Sequence, residues 1–364
     1  MVRLLSIEPY SFRNLENSPV ETDADRVFLI GENGQGKTNF LDAAYTICFG
    51  SSFRGASDGE AVRKGQAAWS LAARIDDGYG NPRELRVSWQ DGAKGISENG
   101  KRVSDRKELV SRNPAVVFCH EDFSFAAGEP ERRRFFFDQT ASLASADYVD
   151  RLRSYRRALK MRNATLKEGI LDVVDVLDEQ LAEYGTALVR ARTSLVDRFD
   201  PVFAERFEAV SRLGRRVGLE YRPSWPVELG PGEIVTRLRA KRREELAMAT
   251  TLSGPHRDRF RFSCQGGGDF STEASTGQLR LLALTLRVAQ AVFTRAETGR
   301  APILFLDDVL LELDPAKRKR FMDALPETPQ AFFTFLPGEP WEAYRSDSTL
   351  LYWTDDGRFT RKES

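Results

Sequence analysis

Three glycines, a lysine and a threonine come together in Gly31-Glu32-Asn33-Gly34-Gln35-Gly36-Lys37-Thr38, the spacing G-x-x-x-x-G-K-[ST]. Glycine permits the positive φ angles that turn successive backbone N–H groups inward, so such a loop can wrap phosphate oxygens. Lys37 would reach the β- and γ-phosphates of a nucleotide, and the Thr38 hydroxyl would ligate Mg²⁺. A second chemical group lies far along the chain, where the apolar run PILFL (302–306) ends in Asp307 and Asp308. A buried strand of this kind delivers carboxylates to the C-terminal edge of a parallel sheet, where ligands bind. Asp307 is expected to hold Mg²⁺ and Asp308 to sit beside the attacking water, which makes Lys37 and Asp308 the candidate catalytic residues.

These groups need particular elements to hold them. The run VFLI (27–30) predicts a strand leading into the loop, and Phe40, Leu41, Ala44 and Tyr45 follow at helical spacing. The loop therefore joins a strand to a helix whose positive dipole end faces the phosphates. From about 65 to 118 the period changes to short strands, AAWSLAARI, ELRVSW and AVVF, separated by the turns DDGYGN and DGAKG. They predict an antiparallel sheet flanking the nucleotide core. Farther on, Tyr148, Leu152, Tyr155 and Leu159 mark one amphipathic helix. Ile170, Val174, Leu177, Leu181, Tyr184 and Leu188 mark another, with the spacing of a short coiled-coil seam. Pro201, Gly214 and Pro223 punctuate this region, which ends near Ala249 before the strand-like RFRFSC (259–264). The middle, 123–249, reads as a helical lobe inserted into one α/β domain formed by 1–122 and 250–364.

Composition narrows the class of molecule. The 364 residues are 41% hydrophobic, enough for a core without disulfides or metals. Lys and Arg number 54, and so do Asp and Glu, which excludes a histone-like polycation and an acidic disordered chain. A polyanion would have to find a local basic patch. Cys48, Cys119 and Cys264 form no C-x-x-C pair, and only His120 and His256 are histidines, so neither a zinc site nor a disulfide framework is expected. The start MVRLLSIEPY has no apolar core of a secretion signal, and LLALTLRVAQAVF (281–293) is interrupted by Arg287. The expectation is a reduced, soluble, cytoplasmic protein with no membrane partner.

Between the two nucleotide motifs lies Ser275-Thr276-Gly277-Gln278, a hydroxyl-and-glycine turn opening an apolar helix. A helix N-terminus of this composition is a second anion site. Its place in the chain resembles the signature motif of ABC-type ATPases. In that class the signature of one subunit closes over the γ-phosphate held by the other. The resemblance implies a homodimer that forms when ATP binds. Leu311-Glu312-Leu313-Asp314 matches the position of that class's D-loop, and Thr334 in AFFTF (331–335) is the nearest polar residue to where many members carry a switch histidine.

A narrower likeness covers nearly the whole chain. Ser11-Phe12-Arg13-Asn14-Leu15, GENGQGKTN (31–39), GEPERRRFFFDQ (128–139), SGPHRD (253–258), STGQLRLLAL (275–284) and FLDDVLLELD (305–314) occur in the order and spacing of the RecF family, which the chain resembles. RecF proteins are similar to the heads of SMC proteins but lack their long coiled coil, and the interval from Lys37 to Ser275 is too short for one. The resemblance implies an α/β fold, an ABC/SMC-type P-loop ATPase head with an antiparallel β flank and an inserted, mainly helical lobe. It implies that Arg13, Gly31, Asn33, Gly34, Gly36, Lys37, Thr38 and Asn39 contact ATP, and that Ser275, Gly277, Gln278 and Asp314 complete the site across a dimer, with Mg²⁺ on Thr38 and Asp307. Cys119-His120 stand where relatives often carry Ser/Thr-Pro before the Q-loop position Glu121, and Arg259 replaces the second Asp of a frequent GPHRDD pattern. The implied function is an ATP-dependent recombination mediator that binds double-stranded and gapped DNA and hydrolyses ATP slowly. Its direct partner would be RecR, with RecO and RecA beyond it. Two other readings share the ATP motifs: a nucleotide-binding subunit of a membrane transporter, and a DNA clamp that binds ATP without hydrolysing it.

For the DNA, Arg132, Arg133, Arg134, Arg151, Arg153, Arg156, Arg157, Lys160 and Arg162 form one basic run, and Arg237, Arg239, Lys241, Arg242 and Arg243 a second. Arg153, Arg156, Arg157 and Lys160 share a helical face and are the candidate duplex contacts, made to phosphate and blind to sequence.

Overall fold

Alternation decides the first sheet. In the computed structural model, which describes residues 2–362 apart from 79 and 170–172, Trp69, Leu71, Ala73 and Ile75 of one strand are buried in turn. That strand, β4 (Ala68–Asp76), follows β1 (Arg3–Tyr10), β2 (Val20–Glu21), β3 (Arg26–Ile30) and the helix α1 (Lys37–Phe49). After it come β5 (Arg83–Gln90), β6 (Ala93–Glu98), β7 (Lys101–Arg102), α2 (Arg106–Arg112) and β8 (Ala115–Phe118). The antiparallel sheet has the order β2-β1-β4-β5-β6-β7, with Trp69 opposite Trp89 and Leu71 opposite Val87. Its apolar face shares one core with α1, which is buried on nearly every side from Phe40 to Cys48.

The chain forms two compact units, Met1–Glu121 with Gln290–Ser364, and Asp122–Ala289. The second contains α3 (Phe123–Ala127), α4 (Pro130–Ala144), α5 (Ala146–Glu168), α6 (Val174–Ser211), β9 (Val217–Arg222), α7 (Pro231–Met248), β10 (Arg259–Cys264) and α8 (Phe270–Glu273). The boundary falls within α9 (Thr276–Thr298). Leu152 and Tyr155 of α5 are buried, as are Val174, Leu177, Leu181 and Leu188 of α6, the helix against which α5 packs; Ile170 lies outside the described residues. Pro201 does not end α6. Its missing N–H removes one hydrogen bond, while Phe199, Phe203 and Phe207 keep the same apolar face buried across it.

The division differs from the expected boundary at 249/250. Residues 250–289 belong to the helical unit because β10 pairs with β9 and supplies its aromatic core. Phe260 stacks on Phe137 at 4.2 Å between centroids, and Phe262 packs against Phe203.

Back in the first unit, β11 (Ile303–Leu306), α10 (Pro315–Ala324), β12 (Ala331–Phe335), β13 (Thr349–Asp355) and β14 (Arg358–Lys362) complete the fold. A second sheet has the order β14-β13-β3-β12-β11-β8, parallel except for β14. The AVVF segment, expected in the antiparallel flank, is β8 of this parallel sheet and pairs with β11. All four of its residues are buried, so it carries no alternation to distinguish one sheet from the other. Among the described residues no helix is long and apolar enough to cross a membrane.

Candidate functional site

The strands β3, β11 and β12 end side by side, and the residues that follow them make the site. After β3, Gly34 and Gly36 take positive φ angles of 84° and 110°. Gly36 caps α1 in a conformation that side chains resist, and a Cβ there would sit 3.1 Å from Gly357 Cα. The turn between β13 and β14 braces the loop from outside: the Gly357 N–H donates to Gln35 O at 2.8 Å, and the Asp356 N–H to Gln35 Oε1 at 2.7 Å. Lys37 is buried, and its Nζ donates to Gly31 O at 2.7 Å and Glu32 O at 3.0 Å. The ammonium is thus held in the loop by carbonyls that phosphate oxygens can replace.

The acids follow β11. Thr38 Oγ1 donates to Asp307 Oδ1 at 2.9 Å, which brings the two expected metal ligands together. Burial, the neighbouring Asp308 and, more weakly, Glu121 push the Asp307 carboxyl up to about 7 against the hydrogen bond from Thr38. A hydroxyl and a carboxylate crowded by other acids are hard oxygen donors suited to a divalent cation such as Mg²⁺, which would offset that repulsion. Asp308 has a positive φ of 53° and turns its carboxylate to Thr334 Oγ1, 2.7 Å away. Glu339, which the motif reading passed over, lies in the loop after β12, where burial and then Asp308 raise its carboxyl above the usual range.

The other predicted contacts divide between two kinds of place. Asn39 Nδ2 donates to Asn14 Oδ1 at 2.7 Å, and Arg54 donates to Asn39 Oδ1 at 3.1 Å, so the residues beside the loop are tied to it. Arg13 gives two hydrogen bonds to the fully buried Asp42, at 3.1 and 2.7 Å, and Asp42 also accepts from Ser52 and the Phe53 N–H. Asn33 is exposed in the loop. Asp314 caps α10 through the Lys317 N–H at 2.9 Å, and bonding to Lys317 holds its carboxyl below the usual range. Ser275, Gly277 and Gln278 belong to the other unit. There Ser275 and Gln278 cap each other reciprocally at the start of α9, with Gly277 exposed beside them.

The basic runs are less free than their sequence suggests. Arg133 donates to the carbonyls of Phe125, Ala126 and Phe260, and Arg134 to that of Asp258. Arg162 is fully buried against Asp178 and Glu245, while Arg239 and Arg242 pair with Asp175. On α5, Arg153, Arg156, Arg157 and Lys160 are all exposed, although Arg156 reaches Asp138 at 3.3 Å. Phe136 and Phe137 are core, whereas Phe135 is exposed. Motif reading also missed a buried network in which Arg192 bonds to Asp138, Asp258 and Pro255 O; no periodicity signals it.

A parallel sheet that sets a P-loop lysine, a hydroxyl and an Asp pair side by side, on a domain carrying an antiparallel flank, defines an ABC/SMC-type nucleotide-binding head. The model of the RecF/RecN/SMC N terminal domain matches residues 3–337. The DNA replication and repair protein RecF of Treponema pallidum (strain Nichols) is 40% identical over 347 residues, covering 95% of this chain and 98% of that protein. A solved structure of the recombination mediator protein RecF-ATP in the RecFOR pathway is similar with a TM-score of 0.90 and 26% identity, over 100% of this chain and 98% of that one. The Smc head bound to the C-winged helix domain of ScpA shares the fold, with a TM-score of 0.59 and 16% identity over 99% and 96% of the two chains. The chain belongs to the RecF family. That membership sets aside the transporter-subunit reading.

Proposed function

We propose that this chain is an ATP-dependent DNA-binding recombination mediator, which dimerises around ATP, holds DNA at gaps and single-to-double-strand junctions, and hydrolyses ATP slowly. The observation that carries the reading is the cluster of Lys37, Thr38, Asp307 and Asp308 in a chain that also has a capped signature helix at Ser275. Lys37 would meet the β- and γ-phosphates, and Asp308 would orient and deprotonate the water. Thr38 and Asp307 would hold Mg²⁺, which neutralises phosphate charge when bound. Ser275, Gly277, Gln278 and Asp314 would act on the nucleotide of a second copy. RecR is the proposed direct partner, with RecO and RecA acting beyond it, and the cytoplasm the proposed compartment.

Light scattering of the whole chain without nucleotide, with MgADP and with MgATP, each with and without duplex DNA, tests this directly. The expected result is a monomer that doubles in mass only with MgATP, accompanied by slow phosphate release that DNA accelerates. A mass that stays constant while ATP demonstrably binds overturns the shared site. A dimer that forms but releases no phosphate identifies the non-hydrolysing clamp instead.

A further inference from the structure

β12 reads AFFTF, and its one polar side chain, Thr334, is 3% exposed among Phe332, Phe333 and Phe335. Packing alone favours an apolar residue there, because a buried hydroxyl is costly unless it is bonded. The Thr334 hydroxyl is bonded on both sides. It accepts from the Asp308 N–H at 2.8 Å and lies 2.7 Å from Asp308 Oδ1, against 3.3 Å from Asp307 Oδ1. A hydroxyl has one proton, and the shorter, charge-assisted contact takes it, so Thr334 serves Asp308. Asp307 Oδ1 accepts its hydrogen bond from Thr38 instead, at 2.9 Å. The two adjacent acids are thereby assigned to different hydroxyls on different elements. Thr334 is itself rigid: its backbone pairs with Leu29 in the parallel sheet, and its branched Cβ restricts χ1.

We propose that Thr334 is a positioning residue for hydrolysis, a two-point clamp that fixes both the backbone and the carboxylate of Asp308. It acts through the acid and touches no phosphate itself. The inference rests on the ATPase reading above, and the experiment separates the two. Single-turnover ATP hydrolysis, equilibrium ATP binding and thermal unfolding are measured for the full chain and for Thr334→Val, Thr334→Ala, Thr334→Ser, Asp308→Asn and Asp308→Asn/Thr334→Val. Losing the hydroxyl is expected to slow hydrolysis about 10-fold while ATP affinity stays within about twofold. Serine, which keeps the hydroxyl, restores the rate. In the Asp308→Asn background the valine change has no further effect, because the carboxylate it positions is already gone. The alanine variant gives a second hydroxyl-free chain should valine pack badly. Wild-type hydrolysis with an unchanged rate in both hydroxyl-free variants overturns the clamp alone. So does a loss of ATP affinity that matches the loss of rate, or an equal slowing in the Asp308→Asn background. A wild-type chain that binds ATP and hydrolyses none overturns the ATPase reading and the clamp together.

Discussion

Two carboxylates on consecutive residues repel each other, and the site separates them by geometry. Asp307 stays on the strand side with Thr38, whereas Asp308 enters the left-handed region and folds its carboxylate back to β12. An aspartate in that position has only one methylene between its backbone and its carboxylate, and the backbone is pinned by Thr334. In the proposed reaction, reach toward a water on the γ-phosphate would then be limited by side-chain length. Asp308→Glu keeps the pinned N–H and adds one methylene, so turnover should rise by up to about 10-fold, a gain of ~1.4 kcal/mol in the barrier. ATP affinity should hardly change, since the phosphate cradle is untouched. Equal or lower turnover in a folded variant would show that length is not the limit. The slow hydrolysis proposed above would suit a protein that times its hold on DNA.

At the scale of elements, the motif GPHRD (254–258) has a structural job in the helical unit. Arg192 of α6 reaches both Pro255 O and Asp258 at 2.7 Å, and the Ser224 N–H donates to Asp258 at 2.8 Å. His256 sits between Tyr155 of α5 and the chain after α7: its Nε2–H donates to Thr251 O at 3.0 Å, and its Nδ1 accepts from the Tyr155 hydroxyl at 2.7 Å. That arrangement uses the neutral ring. Burial, with Arg257, Arg134 and Arg192 nearby, pushes its pKa down to about 4 despite the bond to Thr251. A depressed histidine binds fewer protons folded than unfolded, so its stabilisation is complete above about pH 6.5 and is lost as pH falls toward 4. Denaturant unfolding of the wild type and His256→Gln at pH 7 and 4.5 should show the wild type losing about 2 kcal/mol more than the variant. Equal losses would mean that His256 is protonated without cost. The contrast with the P-loop shows what was legible in the sequence. Gly31 to Thr38 could be read because one contiguous stretch makes the cradle, β3 and α1 because apolar runs abut it, and β11 because its apolar run ends in the Asp pair. The place of β8 and the membership of 250–289 depended on which distant strand each paired with, and four buried residues in a row say nothing of that. Thr334 could be noticed as a polar residue on an apolar strand, but its partner is set by the register of β11 and β12.

The whole chain carries no net charge, so binding to a polyanion depends on which arginines remain uncommitted after folding. Part of each basic run is consumed internally: Arg133 and Arg134 by carbonyls, Arg162, Arg239 and Arg242 by acids of α6 and α7. On α5, Arg156 lies against Asp138, itself bonded to the buried Arg192, and its reversal would set a carboxylate beside a buried acid. Arg157 and Lys160 are exposed without a comparable tie among the described residues, which makes them the cleaner probe of the proposed DNA face. Each phosphate contact contributes about 0.9 to the slope of log affinity against log salt concentration, and a dimer would contribute twice what one chain does. Arg157→Glu/Lys160→Glu should therefore weaken duplex binding in MgATP at 50 mM salt and flatten the slope by about 2 for each protomer engaged. The loss should be similar for unrelated duplex sequences, because contacts to phosphate carry no base information. ATP binding without DNA should remain at the wild-type level, since both residues lie on α5, in the unit that does not contain the P-loop. An unchanged affinity and an unchanged slope would move the DNA surface off α5, and an unchanged slope with weaker binding would point to lost packing instead of lost phosphate contacts.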